Sequence, residues 1–477
     1  MKVLYAAAEA APFFKTGGLG DVAGALPKEL KKQGVDIRVV LPYYSSMPQE
    51  YKDLVEDLVY FYMEVGPKHV YCGIKTLDLD GVTYYFIDNQ DYFNRQSLYG
   101  EWDDGERFGF FSMAIIEMME KIGFIPDVIH VNDWQTAMVP VLLVDKYHWV
   151  EAYRGIRKVL TIHNILFQGI YTQDILSNVF NTGYNIFHES GVAFHDNVNF
   201  LKGGINFSDI VTTVSPSYAE EIKRPEFGEG LEGTLQYNDW KLHGIINGID
   251  YDINNPKTDK RLAYHYDSHD FSGKIANKKA LQERLGLPVD PDIPLIGAVS
   301  RLTSQKGFQL VEEKIQELMG NRNVQVVILG TGEANFENSF RYFDYAYHNK
   351  FRAVIDFDIN LAQQIYAGSD IFLMPSAFEP CGLSQMVSMR YGTLPLVHEI
   401  GGLKDTVVPY NPITGEGTGF SFNGFNGYNL LGTIYRALDV YENDSEQWKK
   451  LMKQAMSIDF SWEKPAQSYL SLYKSLT

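Results

Sequence analysis

Short apolar strands alternate with amphipathic helical stretches along almost the whole chain, in two separate series. This alternation constrains the fold more than any single motif, because a strand-helix-strand order builds parallel sheets covered by helices on both faces. In the first series, strands are predicted at residues 2–8, 36–41, 71–77, 82–87, 127–132, 158–162 and 210–214, the last closing the set. Val22, Leu26 and Leu30 recur at helical spacing over residues 22–32, and Gly34 supplies a stop signal. Asp80-Gly81 marks a hairpin turn, and a further helix is predicted from about Gln135. Composition turns polar after Ile246 and stays so to about Gly273. A second series then places strands at 295–299, 324–329, 353–357, 371–375 and 394–398. Its helices are predicted at 307–319, 336–348, 361–367 and 383–391. The expected fold class is α/β: two doubly wound, Rossmann-like domains, residues 1–246 and 247–459, with the active site in the cleft between them. A C-terminal helix over 460–477, capped by Ser461, is expected to pack back on the first domain.

A chain of 477 residues fits two or three domains. Its 42 Lys and Arg face 60 Asp and Glu, a net charge of −18. That field repels nucleic acid phosphates and anionic membranes, so neither is expected as a partner. An anionic ligand therefore needs a local cluster of cations and helix N-termini. Cys72 and Cys381 are far apart and outside any CxxC spacing, which suits reduced cytoplasmic thiols. Residues 1–14 imitate a signal peptide, but Glu9 interrupts the apolar run and a glycine-rich loop follows, so a first β-strand is preferred. No apolar run approaches the roughly 18 residues of a membrane helix, and the expected location is the cytoplasm.

Three strand-to-helix loops and two strand ends carry the chemistry. Lys15-Thr16-Gly17-Gly18-Leu19-Gly20-Asp21 lets a backbone come close to a ligand, and the helix that follows favours phosphate. Its lysine precedes the glycines, unlike a Walker A loop, and G-G-x-G is not the dinucleotide fingerprint. A ligand-free tight turn is the alternative. In the second series, residues 300–307 (SRLTSQKG) occupy the equivalent place, with Arg301 suited to bidentate phosphate binding and Lys306 a mobile point charge. Phe378-Glu379-Pro380-Cys381-Gly382-Leu383 follows the strand at 371–375, and places a carboxylate beside free backbone amides. A helix-opening acid with no ligand would look the same. Asp133-Trp134 and His163-Asn164 end two strands of the first series, where Asp, His and Asn suit sugar hydroxyls and Trp a sugar face. Read singly, each of these two pairs also fits a structural turn.

Taken in order, KTGGLGD, HVNDW, THNILFQG, TVSPSYA, INGID, SRLTSQKG, FEPCGLSQM, YGTLPLV and GGLKDTV resemble the bacterial glycogen synthase and starch synthase family. These are retaining glucosyltransferases of the GT-B fold, and the likeness runs from Lys15 to Glu463. The resemblance implies glucose transfer from ADP-glucose to the non-reducing end of glycogen or another α-1,4-glucan, with no cofactor and no essential metal. It implies catalytic roles for Glu379, His163, Arg301, Lys306 and Asp133. Donor contacts would come from Lys15, Thr16, Gly17, Gly18, Asp21, Asn164, Asn247, Phe357, Gly382 and Leu383.

The chain departs from the family pattern in places. Asp356-Phe357 stands where Gly-Tyr is usual, so a stacking ring is kept without its hydroxyl. Ala377 replaces a common Arg, and the second acid of the E-x7-E signature would fall at Val387. These departures leave ADP- against UDP-glucose preference open. A non-catalytic glucan-binding relative would have lost Lys15, His163, Arg301, Lys306 or Glu379, and all are present. A nicotinamide oxidoreductase would show G-x-G-x-x-G. The DxD-like pairs Asp78/Asp80 and Asp356/Asp358 are expected to serve a turn and a strand end, not a metal.

Overall fold

Val3, Leu4, Tyr5 and Ala6 are fully buried along β1 (Lys2–Ala6). A run apolar on both faces fits only the middle of a sheet that is covered on both sides. The computed structural model describes residues Met1–Thr477 and places β1 in that position. The chain divides into two units, Met1–Asn247 with Trp462–Thr477, and Gly248–Ser461.

In the first unit β1 is followed by β2 (Asp36–Pro42), β3 (Glu56–Val65), β4 (Lys68–Leu79), β5 (Val82–Asp88), β6 (Val128–Asn132) and β7 (Arg157–Ile162). Three short strands, β8 (Ile170–Thr172), β9 (Ala193–Phe194) and β10 (Asn197–Asn199), form a separate small sheet. β11 (Ile210–Thr213) and β12 (Leu242–Gly244) complete the main sheet, in the order β12-β11-β7-β6-β1-β2-β5-β4-β3. From β12 to β5 every neighbour is parallel, whereas β5-β4-β3 is antiparallel. The helix Gly18–Lys32 buries Leu19, Val22, Ala23, Leu26 and Leu30 on one face, and the left-handed Gly34 (φ 94°) follows it. At the other end of the chain, the helix Glu463–Leu476 buries Ala466, Tyr469 and Tyr473 within this unit.

In the second unit β13 (Leu295–Val299), β14 (Gln325–Leu329), β15 (Phe351–Val354), β16 (Ile371–Met374), β17 (Leu394–His398) and β18 (Phe420–Phe422) are all parallel. Their order is β15-β14-β13-β16-β17-β18, the doubly wound arrangement in which strand order reverses beside β13.

Several expectations need correction. The first sheet is mixed: beyond the expected β4-β5 hairpin, β3 adds a further antiparallel edge strand whose Tyr60 and Tyr62 are exposed while Met63 and Val65 are buried. β11 does not close the sheet, since β12 lies outside it. The helix expected from Gln135 begins at Asp133, and the strand expected over 353–357 spans Phe351–Val354. Phe357 therefore lies beyond the strand. The last helix starts at Glu463, with Trp462 and not Ser461 in the position before it. Of the DxD-like acids, Asp80 sits in the positive-φ hairpin turn and Asp358 caps the helix Ile359–Gly368 through the Leu361 amide. Several helices carried no prediction, among them Asp104–Lys121, Phe200–Phe207, Ser272–Arg284, Gly427–Asn443 and Ser445–Ser457.

Candidate active site

Loops that leave neighbouring strands at a reversal of strand order face a common crevice. In the second unit those loops follow β13 and β16. Lys306 comes from the first and Glu379 from the second, and the ammonium sits 3.2 and 2.9 Å from the two carboxylate oxygens. The Glu379 side chain is only 8% exposed, so the pair is largely desolvated. Ser376 donates its hydroxyl to the same carboxylate at 2.9 Å, and Gly402 donates its amide to the Glu379 carbonyl at 3.0 Å. The loops are also braced through the backbone, with the Ala377 amide on the Gln305 carbonyl at 2.8 Å. Gly307 is left-handed (φ 81°), and a β-carbon there would lie 1.9 Å from the Pro375 carbonyl oxygen. Arg301 is exposed and makes no ion pair, which leaves its guanidinium for a ligand. Gly382 (φ 73°) and Leu383 precede the short helix Ser384–Arg390. Phe357 is 78% exposed and offers an open ring face.

In the first unit the reversal lies between β1 and β6. The loop after β1 is organised by Glu9, a buried carboxylate that accepts from the Thr16 amide (2.7 Å), the Thr16 hydroxyl (2.9 Å), the Gly17 amide (3.2 Å) and the Tyr99 hydroxyl (2.8 Å). Lys15 pairs with Asp21 at 2.7 Å, both half-exposed, and Gly18 opens the first helix. After β6, Asp133 adopts a positive φ of 57° and accepts the His163 amide at 2.7 Å. The His163 ring bonds Asn132 at 2.8 Å. The Asn164 side chain turns back on the Leu166 amide at 3.0 Å. Asn247 is buried, and its Oδ1 makes no hydrogen bond.

Sequence reasoning missed Glu9, Ser376 and Asn132. The signal for Glu9 was present, because a lone acid inside an apolar strand exit needs donors, and the glycine loop supplies them.

Burial sets the protonation states near β6. It pushes the His163 imidazole down to about 3, so the ring is neutral. It pushes Asp133 up to about 7, against the amides of His163 and Asn164, which favour the carboxylate, and with the Glu9 charge adding to the rise. Because the folded pKa lies above the usual value near 4, the folded state holds a proton that the unfolded state has released. The Asp133 contribution to stability is therefore expected to fall as pH rises from about 4 to about 7, opposed by that of His163, which grows with pH because the folded ring releases its proton first. Asp133→Asn, which tolerates the same φ, should remove the falling contribution, so that stability rises more steeply with pH between about 4 and 7 in thermal melts. An unchanged slope in the variant would assign the dependence to other groups.

Two family models match the chain, one described as the starch synthase catalytic domain over residues 2–237, the other as glycosyl transferases group 1 over residues 280–454. The glycogen synthase of Streptococcus sanguinis is 56% identical over 476 residues, covering all of both chains. The chain belongs to the glycogen synthase family. The glycogen synthase of Lactococcus lactis is 57% identical over 479 residues, again over the full length of both. The catalytic domain of starch synthase IV from Arabidopsis thaliana, solved with ADP and acarbose, matches with a TM-score of 0.93 at 36% identity over 99% of each chain. Sucrose-phosphate synthase from Thermosynechococcus elongatus matches at 0.61 with 15% identity, a likeness of fold alone. The chain is thus a glycosyltransferase of the glycogen and starch synthase type with the GT-B fold.

Proposed function

We propose that this protein transfers glucose from ADP-glucose to the non-reducing end of an α-1,4-glucan, with retention of configuration and without a metal ion. Family membership supports a nucleotide-sugar donor and a glucan acceptor. The observation that carries the reading is the Lys306–Glu379 pair at the reversal of strand order, beside the unpaired Arg301. As the bond between the glucose anomeric carbon and the diphosphate oxygen breaks, negative charge builds on the diphosphate. Arg301 and Lys306 stabilise it, with the amides of Gly382 and Leu383 as further donors. Within the first unit, Lys15, Thr16, Gly17 and Gly18 form a loop suited to phosphate, with Asp21 holding Lys15; within the second, Phe357 offers its ring to the base. Glu379 of the second unit, and His163, Asn164, Asn247 and Asp133 of the first, are each of a type that bonds sugar hydroxyls. The acceptor 4-hydroxyl forms the new bond on the same face, and its proton passes to the departing phosphate oxygen, which leaves as ADP.

We take the reaction to run in the cytoplasm, which suits the two buried thiols of Cys72 and Cys381. No helix is long and apolar enough to cross a membrane.

Purified protein with glycogen and either ADP-glucose or UDP-glucose, followed by nucleotide release, tests the proposal. Faster ADP release is expected; release of neither nucleotide, or faster UDP release, counts against it. A chelator such as EDTA is expected to leave the rate unchanged, because cationic side chains neutralise the leaving group. Loss of activity with chelator, restored by Mg²⁺ or Mn²⁺, would overturn metal independence.

A further inference from the structure

Three adjacent strands deliver Tyr5, Asn132 and the residue just past β7, His163, to one point. Tyr5 lies on β1 opposite His130 of β6, two residues before Asn132. The Asn132 carboxamide is fully buried, and only one orientation satisfies its neighbours. Its Nδ2 donates to the Ala6 carbonyl at 2.9 Å, a group that can only accept. Oδ1 therefore faces the Tyr5 hydroxyl at 3.2 Å and His163 Nε2 at 2.8 Å. A carboxamide oxygen only accepts, so both neighbours must donate.

We propose that Tyr5 and Asn132 fix His163 as the neutral Nε2–H tautomer and leave its Nδ1 lone pair to accept a hydrogen bond from a substrate hydroxyl. Asn132 is then a positioning residue that acts through His163. Only the identity of the substrate rests on the glucosyl-transfer reading; the tautomer follows from the geometry alone.

The surroundings keep the arrangement in one state. Burial holds the Tyr5 phenol well above its usual pKa, so it stays a donor. The same effect keeps the His163 ring uncharged. Asp133 faces His163 through its backbone amide, and Glu9 faces Asp133. His130 is buried on β6, with Nδ1 on the Tyr473 hydroxyl at 2.5 Å and Nε2 on the Thr161 hydroxyl at 2.6 Å. From the helix Pro216–Glu221, the Tyr218 hydroxyl accepts the Ile165 amide at 3.1 Å. No acid contacts the imidazole ring itself, so nothing local favours an imidazolium. A neutral ring held in this way cannot carry a proton between acceptor and donor. Its contribution is an oriented acceptor that favours a ligand with a hydroxyl at that place.

The test is nitrogen NMR of the full-length protein labelled at histidine, with the His163 signals assigned by their loss in His163→Gln. The expected result is a protonated Nε2 and an unprotonated Nδ1, unchanged from neutral pH down to about pH 5. An Nδ1–H tautomer, or an imidazolium at neutral pH, overturns the proposal. Asn132→Asp supplies a second readout by setting a carboxylate against Nε2. The His163 titration should then move up toward neutral pH, and kcat should fall about tenfold per pH unit below it. A uniform loss of kcat with no new pH step would mean that Asn132 only supports the fold, and would also overturn it. If the variant does not fold, the tautomer in the unsubstituted protein decides. The expected tautomer in a protein that transfers no glucose would leave this inference standing and defeat the functional reading. The opposite tautomer in an active enzyme would do the reverse.

Discussion

Lys306→Ala is expected to lower turnover by about 10²–10³-fold, a loss of roughly 3–4 kcal/mol of transition-state stabilisation. The cation sits where charge develops on the departing diphosphate, and no neutral side chain replaces it. Arg301→Ala should cost a similar factor, because its exposed guanidinium has no acidic partner and is free for the same task. The two variants should differ in stability. Both are loop residues in the sequence, which by itself predicts no thermal cost for either. The Lys306 ammonium, however, holds Glu379, whose side chain is 8% exposed. Without it the carboxylate keeps only the Ser376 hydroxyl as a side-chain donor, and leaving a buried charge so poorly compensated costs on the order of 1–3 kcal/mol. Arg301→Ala should melt with the unsubstituted protein. Near-normal turnover in either variant would sink the leaving-group assignment. Equal stability of the two would mean that the Lys306–Glu379 pair is not desolvated as its burial indicates.

The doubly wound architecture was legible because it rests on local signals. β1, β13 and β16 are short apolar runs, and each is followed by a loop whose residues fit no strand or helix interior. The helix Ser272–Arg284 was not legible, for a physical reason. Its buried stripe is Lys274, Asn277, Lys278, Leu281 and Gln282, which has helical spacing but almost no apolar residues. Lys274 reaches the Ala367 carbonyl at 2.8 Å and the Thr393 hydroxyl at 2.7 Å, and Lys278 pairs with Asp370 at 2.7 Å. Periodicity read from hydrophobicity cannot find a face held by such bonds. The edge strand β3 was lost differently, because its outward positions are aromatic and blur the alternation. At the site, the residue types at the strand ends could be read one loop at a time. The contact between Lys306 and Glu379 could not, since 73 residues separate them and only the order β14-β13-β16 brings their loops together. Glu9 was visible but looked like an interruption, because its four donors lie on the loop that follows and on Tyr99.

Gly307→Ala is expected to disable the enzyme without touching any charged group. Gly307 ends the cation loop in the left-handed region (φ 81°), where an L-residue pays about 1–2 kcal/mol. Its missing side chain is also the space that the Pro375 carbonyl fills, 1.9 Å from where a β-carbon would stand. That oxygen belongs to the exit of β16 and cannot swing away as a side-chain tip could. Relief requires the two loops to part, at an overpacking cost of roughly 1–3 kcal/mol. Parting them strains the Ala377 to Gln305 bond and draws Lys306 away from Glu379. Together the two penalties give a destabilisation of about 2–5 kcal/mol. Turnover should drop by at least about 10²-fold, since a misplacement near 1 Å has that effect on an oriented catalytic group. Gly320→Ala is the matched control. It lies in the helix Phe308–Asn321 with nothing within 4 Å of a new β-carbon, and should stabilise by up to about 1 kcal/mol. Thermal melts and initial rates on both variants decide the matter. A Gly307→Ala protein as stable and active as Gly320→Ala would show that the close approach to Pro375 does not set the position of Lys306.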